Sequence, residues 1–165
     1  MLTPYRVLDL CTGRSQLCGH ILASLGADVI AVEPPGGAPL RREGPFAGDH
    51  PDPDASLPWW AYARGKRSVV LDFETPADRD LLRRLVRAAD FLLESFPSGT
   101  AERLGLDWPA LAQDNPALVH VSITPWGRTG PHAGWQASDL VVWAAGGPMH
   151  LTGDADRPPI RLPIP

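Results

Sequence analysis

Short apolar runs alternate with amphipathic stretches along the chain, and the two periods sort most of it into strands and helices. Arg6–Leu10 (RVLDL) reads as a buried strand. After a turn at Thr12-Gly13-Arg14, Ser15–Leu25 carries Leu17, Ile21, Leu22 and Leu25 at helical spacing, with Ser15 as its N-cap and Gly26 where a helix releases the chain. Asp28–Val32 (DVIAV) is a second buried strand, closed by Glu33 and a Pro-Pro-Gly-Gly turn. Residues 34–58 show no period, and a structureless segment of that length inside a compact domain points to a functional or mobile loop that covers a ligand or a partner subunit. Leu57–Tyr62 then concentrates Trp59, Trp60 and Tyr62, and Arg64, Lys66 and Arg67 precede the next strand, Ser68–Leu71.

The second half repeats the alternation. Thr75-Pro76-Ala77-Asp78 is a helix start, with a capping Thr, Pro at the first helical position and an acid three residues after the cap. Leu81, Leu82, Leu85, Val86 and Ala89 form the buried stripe of that helix, which leaves Arg79, Arg83, Arg84 and Arg87 as a solvated face. Asp90–Leu93 is a strand ending in the loop Glu94-Ser95-Phe96-Pro97. Short helices follow at Thr100–Leu104 and Trp108–Gln113, a strand at Leu118–Ile123, and a helix at Ser138–Ala145. Residues 148–165 are mostly turn formers and reach no obvious final element, as if the chain ended early. Strands alternating with helices predict an α/β protein with a Rossmann-like parallel sheet and flanking helices. In such a sheet ligands sit beyond the carboxyl ends of the strands, so the loops after Leu10, Val32 and Leu93 are where function is sought.

Composition narrows the classes. The chain has 165 residues, 44% of them hydrophobic and 21% charged, which suits one globular domain with a core. Its 16 glycines and 19 prolines belong to the loops. A net charge of −4 gives no general attraction for nucleic acid or an anionic membrane surface. No apolar run approaches the roughly 18 residues that span a bilayer, and MLTPYRVLDL lacks the layout of a signal peptide, so the expected location is cytoplasmic. Cys11, Cys18 and His20 match no zinc spacing, and no metal is expected. Glu33 lies twenty positions after Gly13, as a ribose-binding acid does, but CTGRSQLCG lacks the G-x-G-x-x-G signature of a dinucleotide fold.

Taken in order, VLDL, SLGADVIAVEPPGG, GKRSVVLDF with ETPADRDLL, ADFLLESFPSGTAERLGLDW, NPALVHVSITPWGRTGP, SDLVVWAAGG and LTGDADRPPIR cover nearly the whole chain. Together they resemble the N-terminal portion of the family III CoA-transferases, the group that includes formyl-CoA transferase and carnitine CoA-transferase. The resemblance implies the core of that family's large domain, with the small domain absent from this chain, and interlocked homodimers in the full-length form. It implies an acyl-CoA and a carboxylic acid acceptor as substrates, coenzyme A as the group moved, and a path through an aspartyl anhydride and an aspartyl-CoA thioester. A carboxylate nucleophile suits this path because it must form an anhydride and later leave.

Carried onto this sequence, the resemblance places CoA contacts at Gly13, Arg14 and Ser15 in the first turn and at Lys66, which matches a phosphate-binding lysine. It also places them at Ser95, where Asn is more usual, at Phe96 beside the adenine, and at Arg103 and Leu104 near the nucleotide end. Pro34 stands where some members have an arginine near the 3′-phosphate. Read as ordinary structure, Phe96 is a core residue and Arg103 a capping residue. The family's catalytic aspartate follows an Arg-x-Gly-type segment, and this sequence runs only to Arg161-Leu162-Pro163-Ile164-Pro165, so the expectation is that the nucleophile lies outside it. Asp139 reads as structural, and Asp154 and Asp156 as turn residues. The related acyl-CoA racemases carry a histidine before the aspartate matching Asp139; here that residue is Ser138, which cannot serve as an α-proton base. The alternative to a transferase is a noncatalytic CoA-binding or subunit-interaction protein; in either case the missing domain and threaded partner implied by the resemblance would leave apolar surface uncovered, so the isolated chain is expected to self-associate or be marginally stable.

Overall fold

The computed structural model describes residues 1–160; the segment Arg161–Pro165, on which the expectation about the nucleophile rests, lies outside them. The chain divides into two compact units, Met1–Thr124 and a second beginning at Pro125.

In the first unit, among the described residues, five strands form one parallel sheet: β1 (Arg6–Leu10), β2 (Asp28–Glu33), β3 (Arg67–Val70), β4 (Phe91–Glu94) and β5 (Val119–Ser122), in the order β3-β2-β1-β4-β5. The Rossmann-like sheet expected from the sequence is therefore present. Leu8 stands opposite Ile30 on one side and Leu92 on the other, so the three central strands share one register. Alternate residues of β1 feed two cores, as a parallel sheet covered on both faces requires. Leu8 and Leu10 join Ile30, Val32 and Leu92 under α3 (Pro76–Val86) and α5 (Trp108–Asp114), through Leu82, Val86 and Leu111. Val7 and Cys11 join Val29 and Leu93 against Leu22 and Ala23 of α1 (Gln16–Ser24).

Local chemistry explains most boundaries. Thr75 Oγ1 accepts from Asp78 N at 3.3 Å and caps α3. At the other end of α3, Asn115 Nδ2 donates to the carbonyls of Val86 and Ala89. Ser15, expected as the cap of α1, makes no capping hydrogen bond; it closes a 3₁₀ turn, Gly13–Ser15, that leads into the helix. The arginines of α3 are not all a solvated face. Arg83 Nε and Arg87 Nη2 donate to the two oxygens of Asp114 at 2.6 and 2.9 Å and join α3 to α5. Arg79 donates to Phe73 O.

The largest departure is at residues 34–58, which fold closely. Glu33, 2% exposed, ends β2, and Arg41 grips it with Nε and Nη2 at 2.6 and 2.9 Å. Ala38 N and Ser68 Oγ also donate to this carboxylate. The Arg41 guanidinium lies over the Trp59 ring at 4.1 Å, a cation–π contact on a buried indole. Trp59 belongs to a helix, α2 (Leu57–Ala63), that the aromatic run concealed. Ser56 caps α2 by accepting from Trp59 N, and its hydroxyl reaches the carbonyls of Leu40 and Glu43. One acid at a strand tip thus organises a loop whose sequence shows no period.

The second unit holds α6 (Asp139–Ala145), capped by Ser138, and a 3₁₀ turn at Pro148–Leu151. Within it Trp126 meets His132 and Trp135 edge to face, and His132 and Trp135 lie tilted against each other at 4.0 Å between centroids. Among the described residues no helix is long and apolar enough to cross a membrane.

Burial pushes the Glu33 carboxyl up, but the bonds from Arg41, Ser68 and Ala38 N outweigh it and hold the group below its ordinary 4.5. The folded value is the lower one, so this contribution is complete above the unfolded value and is lost as pH falls through the folded value. Glu33→Gln is expected to cost about 2–3 kcal/mol at neutral pH, because Arg41 loses its charged partner. It should also flatten the decline in stability below pH 4.5, without abolishing it, because Asp28 and Asp114 are lowered too. Urea midpoints measured across that range check this; equal slopes for both proteins would contradict it.

Candidate functional site

In the strand order β3-β2-β1-β4-β5, the chain reverses direction across the sheet between β1 and β4. Loops leaving neighbouring strands there diverge to opposite faces and open a crevice at the carboxyl edge. The loop after β1 runs Cys11, Thr12, Gly13, and Gly13 has φ +55°, the left-handed region in which a residue without Cβ is unstrained. The loop after β4 runs Ser95, Phe96, Pro97 into α4 (Thr100–Leu104). The two are tied across the crevice: Thr12 N donates to Ser95 Oγ at 2.9 Å, and the two hydroxyls stand 3.3 Å apart.

Beneath each loop lies a buried carboxylate. Asp9, 2% exposed, accepts from Cys11 N at 3.1 Å and pairs with Lys66 Nζ at 2.7 Å. Lys66 also donates to Gln16 O at 2.9 Å, and its side chain is 2% exposed. The pair fits only because α1 has Gly19 at the crossing: a Cβ there would overlap Asp9 Oδ2 and stand 3.0 Å from Lys66 Nζ. Glu94, fully buried, accepts from Phe96 N at 2.7 Å and from the Ser122 hydroxyl, with His120 Nε2 at 3.7 Å. Burial first, then the Asp9 charge, pushes the Cys11 and Cys18 thiols up, so neither is a thiolate at neutral pH.

The residues singled out in the sequence fall into three groups. Gly13, Arg14 and Ser15 form the turn that follows Thr12, and Ser95 is tied to Thr12 itself. Lys66 lies under the same turn, held by Asp9 and Gln16 O, with its ammonium turned inward. Phe96, Arg103 and Leu104 lie on the α4 side. Phe96 is half-buried and meets Phe73 edge to face at 6.0 Å. Leu104 is core, and Arg103 pairs with Glu74 through two 3.0 Å bonds on the surface. A cavity of about 210 Å³ adjoins Leu104, lined also by Pro76, Arg79, Asp80 and Arg83. Glu33 has both oxygens engaged by Arg41, Ser68 and Ala38 N, so no open oxygen faces a ribose hydroxyl.

Sequence reasoning missed Asp9, Thr12, Gln16 and Glu94. The available signal was an acid inside or ending a buried apolar run, as in RVLDL and FLLE: a carboxylate there must find fixed donors. The arrangement offers the hydroxyls of Thr12 and Ser95, the Gly13–Ser15 turn that leads into α1, the Phe96 ring, and on α4 the Arg103 guanidinium, which holds Glu74. That set suits a long, polar, phosphate-bearing ligand with an aromatic end.

Comparison with known proteins follows the same line. The model of CoA-transferase family III matches residues 2–165. The subunit BbsE of succinyl-CoA:(R)-benzylsuccinate CoA-transferase from Thauera aromatica is 44% identical over 160 residues, covering 96% of this chain and 39% of that protein. Succinyl-CoA–D-citramalate CoA-transferase from Chloroflexus aurantiacus is 40% identical over 165 residues, covering 99% of this chain and 40% of that protein. A CAIB/BAIF family protein from Brucella suis superposes with a TM-score of 0.88 at 38% identity, over 98% of this chain and 43% of its own. The chain thus spans about two fifths of the length of these relatives.

The buried pair makes a prediction whose sign opposes helix propensity. Gly→Ala in a helix interior ordinarily stabilises by about 1 kcal/mol. Gly19→Ala is expected to destabilise by about 2 kcal/mol or more, since its methyl group would displace Asp9 from Lys66. Denaturant unfolding measures it; a raised midpoint would show that the pair has room to move.

Proposed function

The chain belongs to the family III CoA-transferases, and from that premise we propose that it forms the CoA-binding part of an enzyme that moves CoA from a CoA thioester to a carboxylic acid. The observation that carries this reading is the tie between Thr12 and Ser95, which brings the β1 and β4 loops together at the point where the sheet reverses.

In this reading the N–H groups of the Gly13–Ser15 turn and the first turn of α1 face the diphosphate or pantetheine, and Arg14 adds a cation. The Ser95 hydroxyl accepts from Thr12 N and keeps its own proton for a ligand acceptor or for Thr12 Oγ1. Phe96 borders the adenine by an edge while its other side stays on Phe73. Arg103 reaches the nucleotide end from α4, and Leu104 supports it from the core. Lys66 acts through the loop: its bonds to Asp9 and Gln16 O fix the start of α1. No residue here is assigned the nucleophile. Bond-making by a carboxylate belongs, in this reading, to the part of the relatives that this chain does not span. The names of both curated relatives contain succinyl-CoA, which makes it the first donor to test. A homodimeric enzyme working in the cytoplasm completes the proposal.

One observation favours a second reading, a CoA-binding protein without transfer chemistry: Asp9, Glu33 and Glu94, the buried acids at the sheet's carboxyl edge, are all engaged in hydrogen bonds. A two-stage experiment separates the readings. Calorimetric titration of the chain with CoA should give saturable binding, while NAD at the same concentrations gives none. Incubation of the whole protein that carries this sequence with succinyl-CoA and a set of carboxylic acids, resolved by mass, then shows whether CoA is exchanged. Exchange supports the transferase, binding without exchange supports the second reading, and no binding at millimolar CoA overturns both.

A further inference from the structure

Glu94 closes β4 and is fully buried, at the one strand end that adjoins both β1 and β5: it stands opposite Leu10 in the first and Ser122 in the second. Its oxygens divide between two tasks. Oε2 accepts from Phe96 N at 2.7 Å, two residues on, and so bends the chain at Ser95. Oε1 accepts from the Ser122 hydroxyl, with His120 Nε2 at 3.7 Å, which fixes the carboxylate to β5. The bend carries Ser95 Oγ across to Thr12 N at 2.9 Å and leaves the Phe96 ring on Phe73. A continuous path of bonds therefore runs from β5 through Glu94 to the β1 loop, and both residues of the turn it shapes are ones assigned to CoA.

The geometry points to Glu94 as a positioning residue of the CoA subsite: its carboxylate sets the Ser95–Phe96 turn that receives the nucleotide end of CoA, and touches no ligand atom itself. This rests on the reading of the site under Proposed function. A carboxylate is needed because donors approach both of its oxygens. Glutamine can keep its oxygen on Phe96 N only if its NH₂ group faces Ser122, whose hydroxyl must then turn to accept, and the bond to Phe96 N loses its charge assistance. Glu33 supplies the comparison, a strand-end carboxylate equally buried whose partners lie in the Arg41–Trp59 layer and not on the CoA loops.

The test titrates wild type, Glu94→Gln, Glu33→Gln, Phe96→Ala and the Glu94→Gln/Phe96→Ala double variant with CoA and with pantetheine, beside thermal melts. Both glutamine variants are expected to melt lower. Glu94→Gln should weaken CoA by about tenfold or more and pantetheine by less than about twofold, while Glu33→Gln keeps CoA within about twofold. Because part of the effect of Glu94 passes through the Phe96 ring, the two losses of CoA affinity should be less than additive in the double variant. If Glu94→Gln does not fold, Ser122→Ala, which keeps the charge, should give the same ligand pattern at about threefold. Equal CoA losses in the two glutamine variants, equal losses for CoA and pantetheine, wild-type binding by folded Glu94→Gln, or additive effects in the double variant overturns the inference and leaves the CoA reading standing. Absence of CoA binding by the wild type overturns that reading, and this inference with it.

Discussion

A carboxylate removed from water at the centre of a parallel sheet must be met by a cation and by fixed N–H groups, or it destabilises the fold by several kcal/mol. Asp9 sets that condition here. Its partner Lys66 comes from the approach to β3, its backbone donor from Cys11, and the room for the pair from Gly19 on α1. Three elements that share no local sequence are held to one point. The turn that begins α1 is placed by this pair, because Lys66 also donates to Gln16 O. The crevice at the sheet reversal is therefore built on a buried ion pair as much as on apolar packing.

The same solution recurs along the carboxyl edge with different partners. Glu94 uses a backbone N–H two residues on and a hydroxyl from the next strand; Glu33 uses a backbone N–H five residues on and a guanidinium. In each case an acid at or near a strand tip accepts from the loop that leaves it. Each loop is thereby anchored near its start by a polar contact, in addition to the packing of apolar residues such as Leu40 and Phe96. Such an edge holds polar groups ready in a fixed arrangement, the condition under which a ligand loses little to reorganisation.

Much of the fold was legible in the sequence because parallel strands buried on both faces read as continuous apolar runs. RVLDL, DVIAV and FLL each mark a central strand, and Thr75-Pro76 marks the start of α3. Ser56-Leu57-Pro58 carries a similar signal for α2, but three aromatics after a Pro/Gly-rich stretch hid it. The site was less legible, because what a charged residue does depends on a partner far along the chain. Lys66 reads only as one of three cations ahead of a strand until Asp9 is found beside it, and Arg83 and Arg87 read as a wet face until Asp114 is placed between them. Ser95 could be chosen from its motif, whereas its bond to Thr12, 83 positions away, follows only from the strand order.

The separation between Asp9 and Lys66 is 57 residues, and this bears on how the protein is made. As the chain leaves the ribosome, β1, α1 and β2 emerge complete while Asp9 still has no cation, so the first β-α-β unit cannot dry its inner face without stranding a charge. The acid in the middle of an apolar strand thus ties the first β-α-β unit to the residue that precedes β3: residues 1–33 alone hold no partner of the kind that Lys66 gives the buried charge.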